Sequence, residues 1–336
     1  MTLETLGEFG FIKKISRGCL IRPQNVIKAI GDDAAAFMVE PGTISLITTD
    51  LLVERVHFIR SAIKGFDLGY KSLAVNLSDI AAMGGEAREA FVSIGIPPDC
   101  TLEYLESVYD GMKKLAARFN VNILGGDTTR SKRDLIINIV VQGTVAREEM
   151  LGRDTARPGD AVVSTGYLGD SKAGLHLILN NLPLDTEDAQ SLYRAHVLPE
   201  PHLLEGRLLA AEPGTHAAID TSDGLSSDLG HILEESQVGA TLDAEKIPIS
   251  DSLLKFCKRF DFDPVEFALS GGEDYTLICT IEPEVVESLA AKFEAKFKRP
   301  LFAIGEINDQ RGLEIKYPDG TSRPAGPTGW NHFKAE

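Results

Sequence analysis

Four short acidic clusters, spread over the whole chain, constrain its folding more than any other feature. They read Gly31-Asp32-Asp33, Thr48-Thr49-Asp50, Gly125-Gly126-Asp127-Thr128-Thr129 and Asp220-Thr221-Ser222-Asp223-Gly224. Each follows an apolar run or a glycine turn, where a strand is expected to end and a site to begin. A fold that gathers such carboxylates must set cations among them, because like charges in a poorly solvated pocket repel. The chain offers hard oxygen ligands without a His/Cys cluster, which suits magnesium better than zinc. That donor chemistry points to phosphate groups.

The length of 336 residues leads us to expect about two domains with a substantial core. A formal charge of −16 speaks against nucleic acid as partner, since binding to a phosphate backbone rests on Lys/Arg clusters. An acidic protein still binds nucleotides when metals invert the local field. Residues 1–10 lack a basic segment followed by an apolar one, so no secretory leader is expected. No stretch approaches the roughly 18 apolar residues of a membrane span, so no membrane association is expected. Cys19, Cys100, Cys257 and Cys279 show no CxxC spacing and are expected to stay reduced, in the cytoplasm.

The first half alternates strand-like and helix-like patterns. Ile44–Thr48 reads as a strand ending at Asp50, and a helix runs from Asp67 to about Met83 with Gly84-Gly85 as its stop. Ala90–Ile96 reads as a buried strand. Thr101 is placed to cap a helix whose Leu102, Leu105, Tyr109, Met112, Ala116 and Phe119 recur at helical spacing. Val121–Leu124 leads into the Gly-Gly-Asp turn, and Leu135–Val145 is a long strand. The pattern breaks around Arg147–Asp160, a domain junction. Beyond it, strands are expected at Ala161–Thr165, Ala217–Ile219, Tyr275–Ile281 and Leu301–Ile307, with helices at Ser171–Leu179, His202–Ala211, Ser226–Glu235 and from about Pro283 to Phe297. The fold class is therefore α/β (α+β), with domains at 1–147 and 148–336.

Asp79 is the sharpest single residue. Within Leu68–Met83 only Lys71 and Asp79 are charged, and an isolated carboxylate on such an apolar helix needs a partner or a cation. Ser72, Asn76 and Asp79 share one stripe; the bland alternative is a structural network or an Arg partner. Asp32, Asp33 and Asp50 sit at loop entries, where solvated acids are common. Asp127 follows two glycines that permit positive φ and a close ligand approach, or simply a turn. Ser222 or Asp223 is placed either at a site or as an N-cap. Ser270-Gly271-Gly272-Glu273-Asp274 is a further glycine–acid turn. Gly166–Ser171, before a helix, offers amides to a phosphate. His57 precedes Phe58-Ile59 and reads as a core histidine or as a neighbour of substrate phosphate. No GxxxxGK[ST] loop, GxGxxG or protein-kinase catalytic loop occurs.

Taken jointly, the chain resembles the thiamine-monophosphate kinase family. The resemblance is carried by Gly7-Glu8-Phe9, Gly31-Asp32-Asp33-Ala34, Thr48-Thr49-Asp50 with Leu52-Val53-Glu54 and His57-Phe58, and Lys71 through Asp79. It continues through Gly125 to Thr129, Ser222-Asp223-Gly224-Leu225, Ser270 through Tyr275 and Trp330-Asn331-His332-Phe333. It implies an N-terminal mixed-sheet domain that binds ATP and magnesium and dimerises through its strands, followed by a C-terminal α/β domain. It implies that Asp33, Thr48, Thr49, Asp50, Asp79, Asp127 and Asp220 are magnesium ligands, with Asp223 a further one. Gly126, Asp127, Arg153 and Ser222 would contact ATP; His57, Glu273 and Trp330 would face thiamine monophosphate. Arg55 departs from the family's small Gly and is expected to crowd the substrate entrance. Arg153 and Arg157 are alternatives for the nucleotide contact, and Thr276 replaces a usual acid.

The implied reaction moves the γ-phosphoryl of ATP onto a phosphate monoester. Such an acceptor, with its second pKa near ~6, is mostly dianionic at neutral pH, so no side chain is assigned as general base. Selenophosphate synthetase, the hydrogenase-maturation member and aminoimidazole ribonucleotide synthetase fit less well: the first lacks its reactive Cys arm, the second its C-terminal Cys, the third its Thr-Asp-Gly-Val-Gly-Thr-Lys stretch. A non-catalytic nucleotide- or metal-binding regulator is the alternative from a different class.

Overall fold

The structure is a computed structural model and describes residues 10–30, 35–326 and 329. Backbone contacts divide the chain into two compact units, Met1–Ile80 with Gly85–Arg147, and Ala81–Gly84 with Glu148–Glu336. Among the described residues no helix is long and apolar enough to cross a membrane. All four cysteines are buried and free.

The first unit contains, in chain order, α1 (residues 10–15), β1 (Val26–Lys28), β2 (Ala36–Phe37), β3 (Thr43–Val53), α2 (Gly65–Ala82), β4 (Glu86–Ile96), α3 (Leu102–Phe119), β5 (Asn122–Arg130) and β6 (Ile136–Ala146). Its main sheet has the order β3-β6-β4-β5, antiparallel except for the β4–β5 pair. The Thr101 side chain caps α3, accepting from the Tyr104 N–H. Leu105, Val108, Met112 and Leu115 form its buried stripe. α2 is apolar nearly all round, and Leu68, Leu73, Leu77 and Ile80 are fully buried, as expected of a helix packed on two sides.

The two helices cross without side chains between them. A Cβ on Gly69 would lie 1.8 Å from the Val108 carbonyl oxygen, and one on Gly111 would lie 1.9 Å from that of Phe66. This backbone-to-backbone crossing fixes where the polar stripe of α2 meets β3.

Two strands run further than their sequence suggests. β3 continues through Thr48-Thr49-Asp50 to Val53, paired residue for residue with β6. β5 passes straight through Gly125-Gly126-Asp127-Thr128-Thr129, where a turn was expected. A bulge at Leu124 absorbs the irregularity, and the ladder resumes with Gly125 opposite Phe91. Gly126 has φ +145, and a Cβ there would sit 1.7 Å from the Val92 oxygen. Its missing side chain thus admits the neighbouring strand.

The second unit contains β7 (Ala161–Ser164), α4 (Asp170–Leu179), α5 (Glu187–Val197), α6 (Leu203–Ala210), β8 (Thr215–Asp220), α7 (Leu225–Ser236), β9 (Gly239–Asp243), α8 (Asp251–Phe260), α9 (Pro264–Ser270), β10 (Leu277–Ile281), α10 (Pro283–Phe297), β11 (Phe302–Asn308), β12 (Gly312–Lys316) and β13 (Ser322–Ala325). Its seven-stranded sheet has the order β13-β12-β9-β11-β7-β10-β8, with only β12–β9 parallel. Val162, Ile219, Leu229, Ile278 and Ile304 belong to one core; Leu177, Leu192, Leu253 and Phe256 bind α4, α5 and α8 into another. The fold is mixed α/β in two parts, as the sequence predicts.

Candidate functional site

In the first unit the site is built on one face of β3 and one stripe of α2. Side chains alternate along a strand, so Thr48 and Asp50 share a face, and α2 lies over that face. Thr48 Oγ1 donates to Asp79 Oδ2, while Asn76 Oδ1 accepts from the Asp50 N–H at 3.1 Å. Ser72, the third member of the expected stripe, turns back to its own helix and donates to the Leu68 carbonyl at 2.7 Å. Burial, and then the charge of Asp79, push the Asp50 carboxyl up to about 7. A like charge nearby disfavours ionisation, so this carboxyl either keeps its proton or has the charge offset by a cation.

Thr49 and Asp127 face the other way. Strand neighbours share a face, so the row Leu51, Asn138, Ser93 and Asp127 lies opposite the row Asp50, Ile139, Val92 and Gly126. Thr49 Oγ1 accepts from Asn138 Nδ2 at 2.9 Å on that second face. The face is open: Ile47 is 72% and Leu51 51% exposed. The Thr-Thr-Asp cluster therefore splits between two surfaces, because it lies within a strand rather than beyond its end.

His57 sits in the turn after β3, half-buried. Its Nδ1 accepts from the Val53 N–H at 3.0 Å, which leaves the proton of the neutral ring on Nε2. Arg55 adopts φ +68, the left-handed region that glycine prefers, and its side chain is ion-paired with Asp134. Asp33 and Trp330 lie outside the described residues.

In the second unit the acids collect around the end of β8. Asp220 closes that buried strand, and Ser222–Gly224 form the loop into α7. Neither Ser222 nor Asp223 caps α7: Gly224 occupies the cap position without a side-chain bond. Instead Asp228, 2% exposed, reaches back from the first turn. Its Oδ2 accepts from the amides of Asp223 at 3.1 Å and Gly224 at 2.9 Å. Burial, followed by the charges of Asp220 and Asp223, pushes its carboxyl up to about 8.

The glycine–acid turn docks against the same loop. The Glu273 N–H donates to the Ser222 carbonyl at 2.8 Å and the Tyr275 N–H to that of Thr221 at 2.9 Å. Glu273 and Tyr275 both hold positive φ, +63 and +53. Asp274 accepts from the amides of Gly169 at 2.6 Å and Ser171 at 3.1 Å. The amides offered to a phosphate at the start of α4 are thus taken by the chain's own carboxylate. Burial, against the pull of those amides, drives Asp274 up to about 8.

Gly329, one residue before Trp330, donates to Ser227 Oγ at 3.0 Å, so the chain near its end returns to this loop. Arg153 is exposed on a segment paired with β8 through Gly152. Arg157 faces Glu282 at 3.6 Å.

Asp228 is not singled out by the sequence, and Asp274 is singled out only as part of a glycine–acid turn, without its bonds to Gly169 and Ser171. The signal for Asp228 is an acid in the first turn of a helix, where unpaired amides and the helix dipole favour a carboxylate; that for Asp274 is long-range and not visible along the chain. Among the described residues no three His, Cys, Asp or Glu side chains form a metal cage by themselves. Magnesium seldom uses one: it is held by one or two carboxylates, with waters and substrate phosphates completing the shell. The Asp50–Asp79 pair with its Thr48 hydroxyl fits that donor set.

Fold and acid-lined loops define the class. The AIR synthase related protein N-terminal domain matches residues 31–145, and its C-terminal domain residues 157–318. A thiamine-monophosphate kinase of Haemophilus influenzae is 36% identical over 333 residues, covering 98% of both chains. The crystal structure of thiamine-monophosphate kinase from Stenotrophomonas maltophilia K279a superposes with TM-score 0.83 at 36% identity, over 96% of this chain and 99% of that one. A structure of AaThiL complexed with AMPPCP and TMP does so with TM-score 0.79 at 33% identity, over 99% of each chain. The chain belongs to the thiamine-monophosphate kinase family.

Proposed function

We infer that the chain phosphorylates thiamine monophosphate with ATP, a step of thiamine diphosphate biosynthesis. Family membership along nearly the whole length supports the reaction. The observation in the structure that supports it is the seam between β3 and α2, where Thr48 Oγ1 donates to Asp79 and Asn76 accepts from the Asp50 amide, so that two acids meet along one line.

The bond between the β,γ-bridging oxygen and the γ-phosphorus breaks, and ADP leaves with the electron pair. A phosphate oxygen of the acceptor forms the new bond. That oxygen already carries charge at neutral pH, with a second pKa near ~6, so the protein has no proton to remove. Its task is to position two anions and screen their repulsion. Magnesium, when bound, supplies that screening and aligns the two phosphates. Thr48, Asp50 and Asp79 would hold it in the first unit, and Asp220 and Asp223 in the second. Asp33 joins them by resemblance, and Thr49 and Asp127 by resemblance on the open face. Asp228 keeps the Ser222–Gly224 loop in shape by holding two of its amides.

Gly126, Asp127, Arg153 and Ser222 are proposed to contact ATP. Arg153 is favoured over Arg157 because the latter faces Glu282. His57, Glu273 and Trp330 are proposed to meet the acceptor, where an aromatic face beside the thiazolium contributes about 0.5–2 kcal/mol. A homodimer joined through the open face is supported by its exposed Ile47 and Leu51, and the cytoplasm by four free cysteines.

A product assay over a panel of phosphorylated acceptors tests the substrate. Equimolar ADP and thiamine diphosphate from thiamine monophosphate are expected. Turnover of free thiamine, with none of the monophosphate, would overturn the assignment.

A further inference from the structure

The second unit holds a buried histidine that the reaction described so far does not use. His196, on the last turn of α5, is 5% exposed. Its Nδ1 lies 3.0 Å from Ser171 Oγ and 3.4 Å from Glu273 Oε2. An ionised carboxylate only accepts hydrogen bonds, so the tautomer with its proton on Nδ1 is the one that donates toward Glu273. The Nδ1–H then points between Ser171 and Glu273.

Three anchors converge on this short turn. The Glu273 main chain is tied to Ser222, the Asp274 carboxylate to the amides of Gly169 and Ser171, and the Glu273 carboxylate to His196. Residues held at positive φ persist only where the surroundings over-determine them, and Glu273 is such a residue. Its side chain nevertheless keeps 28% of its surface exposed, so it is fixed yet reachable.

We propose that His196 is a positioning residue for the phosphoryl acceptor, holding the Glu273 carboxylate in the orientation that meets the organic cation of thiamine monophosphate. This rests on the reading of Glu273 as an acceptor contact. Ser171 takes part by fixing the imidazole plane. ATP affinity is independent of the pair.

Steady-state kinetics of four variants, with melting curves for each, test it. His196→Leu removes the donor and is expected to raise KM for thiamine monophosphate about tenfold, the scale of one lost hydrogen bond to a charged group, with KM for ATP unchanged. His196→Asn keeps an N–H near the Nδ1 position and is expected to stay within about threefold of wild type; a purely packing role would reverse the order, since Leu fills the buried space better than Asn. Glu273→Ala is expected to raise the same KM, and the double variant to be no worse than Glu273→Ala alone. If Glu273→Ala raises KM while His196→Leu does not, or if their effects simply add, the proposal fails and the Glu273 reading stands. If Glu273→Ala leaves KM unaltered, the Glu273 reading itself falls.

Discussion

Asp50 reports most directly on how the site handles charge. Its carboxyl is pushed up to about 7 by burial and by Asp79, whereas in the unfolded chain it titrates near ~4. Between those values the native state keeps a proton that the unfolded state has released, so stability falls as pH rises through the window. Metal-free protein is therefore expected to lose melting temperature from about pH 4 to pH 7, and Asp50→Asn to flatten part of that slope. Magnesium at pH 8 is expected to raise the melting temperature of wild type more than that of the variant. Parallel pH profiles for the two proteins would mean that Asp50 ionises freely. The polar stripe of α2 was legible from sequence because Asp79 and Asn76 interrupt an apolar helix, and the structure sets both against β3. The facing of the β3 residues was not: Thr48 and Thr49 read as one cluster, yet strand alternation sends them to opposite surfaces.

At the scale of elements, the site depends on the crossing of α2 and α3. Gly69 and Gly111 let the two backbones approach, and a methyl group at either would overlap a carbonyl oxygen. Gly69→Ala is expected to cost about 2 kcal/mol or more, in the range of overpacked cores, measured by urea unfolding. Gly230 lies inside α7 with nothing within 4 Å of an added Cβ. There the same change is expected to stabilise by about 0.5–1 kcal/mol through helix propensity alone. Equal effects at the two positions would contradict the crossing as described. Helix α10 was read from sequence with its bounds intact, since Pro283 opens an amphipathic run that ends at Phe297. α5 and α8 are absent from the sequence pattern as read above, although Thr186 and Ser250 cap them. β5 was mistaken for a turn because Gly-Gly-Asp carries turn chemistry locally, and only its pairing with β4 overrides it.

At the scale of the whole molecule, the open face of the first unit's sheet presents Ile47, Thr49 and Leu51 in alternation. An apolar strip of this kind marks an interaction surface, and a second copy is its proposed occupant. Ile47→Glu is expected to shift the protein from dimer to monomer in light scattering while its circular dichroism stays native. A wild-type protein that is monomeric at micromolar concentration would remove the dimer from the account. The placement of such a surface was not readable from hydrophobic pattern alone, because a core strand and an interface strand alternate alike.

Steady-state turnover of Asp79→Asn across a magnesium titration tests most directly whether carboxylates facing β3 bring cations to two reacting phosphates. The substitution keeps shape while removing charge, so thermal stability should be unchanged or raised by relief of the Asp50 contact. Turnover with ATP and thiamine monophosphate should fall at least about 100-fold, the scale of losing one preorganised electrostatic group, with a higher magnesium requirement. Turnover within a few-fold of wild type at the same magnesium concentration would contradict it.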